Sequence, residues 1–160
     1  MNEVTHHLAQ VNIGRLVAPT DSATLKDFMD GLDPVNALAD AAPGFLWRLQ
    51  TDDGNATAVE AFEWDTGTSA GVIINMSVWS DVVSLAEFVY NEEHRAFLRR
   101  RREWFQKMDE AYTALWWVPA GTIPSTDDAE DRIRHLRANG PTPHAFTLRD
   151  HFPAPSGPRG

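Results

Sequence analysis

Residues Ser77 to Phe105, SVWSDVVSLAEFVYNEEHRAFLRRRREWF, constrain the fold more than any other stretch of this chain. They read as the end of a strand, a helix, a short interruption near Asn91 and a second helix. Ser80 is the expected N-cap, ahead of Asp81 and of Val83, Leu85, Ala86, Phe88 and Val89 at mostly helical spacing. In the second helix His94, Phe97, Leu98 and Phe105 fall on one face, while Arg95, Arg99 and Arg102 point elsewhere. An imidazole among apolar side chains has three readings: a satisfied core histidine, a proton-transfer group, or a metal or haem ligand. The spacing alone leaves all three open.

Around this stretch the remaining elements follow from period and punctuation. His7 to Leu16 alternates as a strand, with Ala9, Val11 and Ile13 on one face and Leu8, Gln10 and Asn12 on the other. Leu25, Phe28, Met29 and Leu32 repeat at helical spacing, and Gly31 and Pro34 predict an end or kink before a second helical piece reaching Ala42. After the Pro43-Gly44 turn, Phe45 to Gln50 reads as a strand in which Phe45, Trp47 and Leu49 share a face. Residues 51–55 read as an exposed loop with an Asp-Gly turn. Ala56 to Asp65 has room for a short strand, and most of the region to Gly71 reads as a flexible connection, long enough to be a functional loop.

Val72 to Trp79 alternates most clearly, with Val72, Ile74, Met76 and Val78 opposite Ile73, Asn75, Ser77 and Trp79. Tyr112 to Pro119 is the fourth expected strand. Ser125 or Thr126 caps a last helix with Ala129, Ile133 and Leu136 as its apolar stripe. Asn139-Gly140-Pro141 ends that helix, and Ala145 to Arg149 has the pattern of a short edge strand. The order strand, helix, strand, strand, helix, strand predicts an α+β, ferredoxin-like split βαβ fold, a four-stranded antiparallel sheet with helices on one face. Its bare face calls for a cover, and a second copy of the chain is the simplest one, giving a homodimer. Residues 1–152 are expected to form one domain, with 153–160 as a mobile Pro- and Gly-rich tail.

Composition excludes several functions. A formal net charge of −9 argues against a nucleic-acid or anionic-membrane binder, because phosphates need a basic surface. With no cysteine, disulfides, thiolate catalysis and thiolate metal sites are ruled out. There is no long apolar run and no leader-like start, so a cytoplasmic location is expected. No glycine-rich phosphate loop, HExxH or Gly-x-Ser-x-Gly elbow occurs, and His6-His7 lies at an expected loose terminus. No resident metal is expected.

What remains is a polar strip in an otherwise apolar sheet, which marks either the wall of a small-molecule pocket or a dimer interface. Asn12 can donate to a substrate carbonyl or a developing oxyanion, an interaction worth about 3 kcal/mol in a dry site. Gln10, Arg48, Asn75 and Ser77 can join Asn12 on one sheet face if the registers allow. Trp47, Trp79, Trp116 and Trp117 are candidates to clamp a flat ligand, although core or interface packing is the commoner use of any one of them. Phe88 and Phe97 are expected to line the same pocket, and Tyr90 to donate a hydrogen bond or end its helix at the surface. The run Arg99 to Arg102 reads mostly as a solvated face, with Arg101 the one that can turn inward and receive an acidic substrate group.

The segments HLAQVNIGRL, LDPVNALADAAPGFLWRLQ, the SVW strand end, FVYNEEHRAFLRRRREWF, LWWVPAG and GPTPHAFTLR span nearly the whole chain. Together they resemble a bacterial domain-of-unknown-function family, number 3291 (DUF3291). That family is similar to the dimeric α/β barrels, which include antibiotic-biosynthesis monooxygenases and haem-degrading monooxygenases. The resemblance implies an enzyme of secondary metabolism acting on a small apolar or aromatic metabolite between sheet and helices. It also implies oxygen insertion without a metal, in which the substrate's own enolate or phenolate reacts with oxygen. Asn12 and His94 would be catalytic, the first by strand position and the second by helix position. The alternatives are a haem-binding or haem-degrading protein with His94 as the ligand, a non-oxidative cyclase or isomerase, and a non-catalytic binding module. The haem enzymes' helical Trp has no counterpart here, since Phe88 and Tyr90 stand in its neighbourhood.

Overall fold

The computed structural model describes residues 5–51, 54–57 and 59–155. Its elements run β1 (His6–Arg15), α1 (Lys26–Ala41), β2 (Phe45–Arg48), β3 (Val72–Trp79), α2 (Val82–Val89), α3 (Glu92–Leu98), α4 (Arg101–Trp104), β4 (Thr113–Pro119) and α5 (Thr126–Asn139). The strands pair antiparallel in the order β2-β3-β1-β4, the order of a split βαβ, ferredoxin-like fold. His6 and His7 belong to β1 rather than to a loose end.

Register fixes what each sheet face carries. Ala9 lies opposite Val78, Val11 opposite Met76 and Ile13 opposite Ile74, with Trp116 and Ala114 beside them on β4. This first face is buried under Ala129, Ile133 and Leu136 of α5 and under Ala61 and Phe62. An open face was the reason to expect a second copy as its cover. Here α5 closes that face within the chain, so helices lie on both sides of the sheet.

The second face carries Leu8, Gln10, Asn12 and Gly14 on β1 and Trp79, Ser77, Asn75 and Ile73 on β3. It is roofed by α1 to α4. Phe28 and Leu25 pack with Leu16 and Trp104 at one end, and Leu85 packs with Leu8, Trp79 and Leu115 at the other. Between these two clusters the roof stands off the sheet.

Several local features differ from expectation. The α1 helix runs unbroken through Gly31 and Pro34. Gly31 is there for packing: a Cβ would lie 2.3 Å from Phe97 Cε1, so only glycine lets α3 come this close to α1. Asp81 rather than Ser80 caps α2, accepting from Ser84 N. Asn91 caps α3 by accepting from the backbone of Glu93 and His94, which breaks the helical stretch where an interruption was expected. A further break at Arg99-Arg100 separates α4. Ser125 caps α5 in a capping box with Asp128, and Gly140 (φ 73°) ends it.

The segment before β3 is tied down rather than loose. Asp65 is buried and accepts from Arg137 (2.8 and 3.0 Å) and Arg15 (2.8 Å), while Arg15 also reaches Glu110. Burial pushes the Asp65 carboxyl up, but hydrogen bonds from Arg137 and Arg15 outweigh it and hold the group below its ordinary value. No strand forms at Ala56 to Asp65 among the described residues; a short 3-10 turn occupies Glu63–Asp65. The expected last strand is reduced to isolated pairings, Leu115 with Phe146 and Thr142 with Ala145. Asp53 of the expected Asp-Gly turn and residues 156–160 of the tail fall outside the described residues.

Candidate active site

A cleft of about 1250 Å³, counting its open mouth, lies between the second sheet face and the α1–α4 roof. Its floor is polar. Gln10 stands opposite Ser77, and Asn12 opposite Asn75, so four polar side chains form a two-by-two array across β1 and β3. Gln10 Nε2 donates to Asn75 Oδ1 and to Ser77 Oγ, each at 2.8 Å. Trp79, fully buried, donates its Nε1 to the same Ser77 Oγ at 2.8 Å, which satisfies an indole that burial would otherwise penalise. The Asn12 side chain has no hydrogen-bond partner among the described residues, although it lines the cleft. Its amide is free for a ligand.

The roof is aromatic. Phe97 stacks on Phe28 (5.7 Å between ring centroids) and lies tilted against Trp104 (4.9 Å), and Phe88 lies 5.2 Å from Trp79. Phe105 reaches the floor because Gly14 has no side chain; a Cβ there would sit 2.5 Å from Phe105 Cδ1. On α1 the cleft-lining residues Phe28, Leu32, Val35 and Ala39 fall at spacings of four, three and four, one helix face.

His94 sits in this roof, half-buried, 4.6 Å from the Phe88 ring. Its Nδ1 lies 3.2 Å from Val89 O. A carbonyl can only accept, so Nδ1 carries the proton and Nε2 is left with a lone pair. Burial lowers the His94 pKa, and the Val89 hydrogen bond offsets only part of this. The ring is therefore neutral at pH 7 and can accept a proton.

The structure brings together Asn12, Arg48, Asn75, Trp79, Phe88, His94, Phe97 and Arg101, which all line the cleft. Four other expected wall residues lie elsewhere, among them Trp116, which is buried in the first sheet face. Trp47 packs into the first face because a bulge at Leu46 shifts the register, Phe45 pairing with Trp79 but Trp47 with Val78. The same slip pairs Arg48 with Ser77 and turns it to the cleft side. Tyr90, 66% exposed, follows the last turn of α2. Trp117 donates to Phe152 O at 2.9 Å and packs in the cluster around Leu8. Trp104, Phe105 and Gly14 were not anticipated as cleft residues. Phe105 had been placed on the histidine's face, but nothing in an ordinary strand glycine signals Gly14's role. Among the described residues no three His, Asp or Glu side chains are grouped to hold a metal ion, and no helix is long and apolar enough to cross a membrane.

The family described as "Domain of unknown function (DUF3291)" matches residues 7–159. The chain belongs to that family. No curated protein matches it. Among solved structures it is similar to PA3566 from Pseudomonas aeruginosa (13% identity, 76% of this chain and 100% of that one, TM-score 0.47). It is also similar to SnoaB, a cofactor-independent oxygenase from Streptomyces nogalater (15%, 74% and 98%, TM-score 0.44). A third is NE2512, a protein of unknown function from Nitrosomonas europaea (14%, 76% and 97%, TM-score 0.43). These likenesses concern the fold alone, and no chemistry follows from them.

Proposed function

We propose that this DUF3291 chain is an enzyme that moves a proton to or from a small, largely apolar or aromatic metabolite held in the cleft. One observation carries the reading: among the described residues nothing bonds Nε2 of the neutral imidazole in the apolar roof or the Asn12 amide on the floor, and both groups line the same cleft. His94 Nε2 takes a proton from a carbon or hydroxyl made acidic by a neighbouring carbonyl. Asn12 donates to the oxygen on which the negative charge collects, and the surrounding rings exclude water. The anion then has two fates. Reprotonation at another position is isomerisation or cyclisation. Reaction with dioxygen is monooxygenation: a ring CH2 becomes C=O, and the second oxygen atom leaves as water with the two hydrogens.

Every group named comes from one chain, so a homodimer is not required to complete the cleft. A cytoplasmic setting and a place in secondary metabolism go with this reading as further proposals. The test is oxygen uptake and proton exchange with candidate polyphenols, in the presence of chelators. Loss of both in His94→Ala and Asn12→Ala, with melting temperature kept, is the expected result. If both variants melt earlier and no ligand binding changes, the catalytic reading is wrong.

Haem is a second reading, favoured by the same nitrogen. His94, whose Nδ1–H is held by the Val89 carbonyl, would hold haem iron through Nε2, and the iron would supply oxygen chemistry. The fit is incomplete, because among the described lining residues Arg48 is engaged by Asp40 and Arg101 alone is left to meet two propionates. A Soret band on haem titration that vanishes in His94→Ala would favour it.

A further inference from the structure

The charge of the cleft runs against the charge of the chain. Asp and Glu number 23 against 14 Lys and Arg, yet no Asp or Glu is among the described residues lining the cleft. Its charged or chargeable lining residues are Arg48, His94 and Arg101. Arg48 is already compensated, with Nε 2.8 Å from Asp40 Oδ1 and a second bond to Gly54 O at 2.7 Å. Arg15, Arg99, Arg100 and Arg137 likewise meet carboxylates. Arg101 meets none among the described residues.

Its guanidinium carbon lies 4.5 Å from the centroid of the Tyr112 ring. Stacking of this kind occupies a face of the group and leaves its N–H edge free, and that edge is a planar fork matched to a carboxylate. We propose that the ligand is a ring-bearing monocarboxylate, with its carboxylate on Arg101 and its rings under Phe88, Phe97 and Trp104. This rests on the cleft being the site for an apolar metabolite and names the class of that metabolite. The absence of acids among the described lining residues serves the same end, since a carboxylate in the wall would repel the ligand. The acidic exterior discourages non-specific anion binding, so selectivity for the cleft rises.

Calorimetric titration with matched pairs tests the proposal: benzoate, 2-naphthoate and anthracene-2-carboxylate, each against its neutral amide. The best-fitting acid binds about tenfold tighter than its amide, and the preference shrinks as salt is added. Arg101→Gln abolishes the preference and leaves amide affinity in place, whereas Arg101→Lys retains part of it. Arg102→Gln, at an exposed position outside the cleft, changes neither. A melting curve for Arg101→Gln close to that of the parent separates lost charge from lost fold. Equal binding of acid and amide overturns the carboxylate assignment and leaves the apolar-ligand reading standing. No binding by any pair overturns both.

Discussion

Gln10 and Ser77 face each other across β1 and β3, and the Gln10 amide bridges Ser77 Oγ and Asn75 Oδ1 at 2.8 Å each. The bridge leaves Asn12, one step along the same face, as the floor amide without a partner among the described residues. A part-buried polar group without a partner lowers stability, and chains tolerate that mainly at functional sites. Asn12→Leu is therefore expected to hold or raise the melting temperature. Turnover should fall about 100-fold, as when one oxyanion donor is removed. A large drop in melting temperature would instead make Asn12 a structural amide.

The buried, neutral state of His94 has a pH signature. Its folded pKa is below the unfolded value of 6.5, so below about pH 6.5 the unfolded chain binds the proton more readily. Stability from this group is full above pH 6.5, falls as pH drops towards the folded pKa, and is level below it. The acid limb of activity should follow the same folded pKa and lie below 6.5. An NMR titration of the His94 ring measures it directly. Phe88→Ala, which lets water reach the ring, should move the value back up; a His94 titrating above 6.5 would contradict the burial seen here.

Alternation made β3 legible to the residue, because Val72, Ile74, Met76 and Val78 repeat at period 2 with polar Asn75 and Ser77 between them. The start of α5 was legible to within one residue, because cap and first turn are adjacent in the chain; the structure selects Ser125 over Thr126 and pairs it with Asp128. Trp47 was not. A bulge adds one residue to one strand, carries no compositional mark at Leu46, and reverses the face of everything after it. Nor was the tethering of the segment before β3, since Asp65 finds its cations 50 and 72 residues away at Arg15 and Arg137. The pairing of Gln10 with Ser77 and Asn12 with Asn75 was conditional on a register that only the folded sheet supplies.

Asp65 holds β1 to α5 through Arg15 and Arg137, whose side chains are only 18% and 17% exposed. Asp65→Ala leaves both guanidinium groups without this partner in a poorly solvated place, and is expected to cost about 3 kcal/mol. Because the folded carboxyl is held below the ordinary 3.8, its contribution is present above that pH and is lost as pH falls through the folded value. Urea unfolding of parent and variant should therefore differ most near neutral pH and converge in strong acid. Equal stability at pH 7 would show that the contact contributes nothing.

Gly31→Ala sets helix propensity against packing. In an exposed helix this change gains about 1 kcal/mol. Here the new Cβ would meet Phe97 Cε1 at 2.3 Å, and Phe97 cannot swing aside because Phe28 and Trp104 hold its ring at 5.7 and 4.9 Å. Overpacking of this kind costs about 1–3 kcal/mol, so the net effect should be destabilising in spite of the better helix former. The clash also pushes α3 from α1, and His94 rides on α3, so ligand affinity should fall with stability. Phe97→Leu in the same chain relieves the contact and should recover part of both losses. Thermal melts and ligand titrations of the single and double variants decide the point; a stabilised Gly31→Ala would mean that α1 and α3 are packed less closely than described.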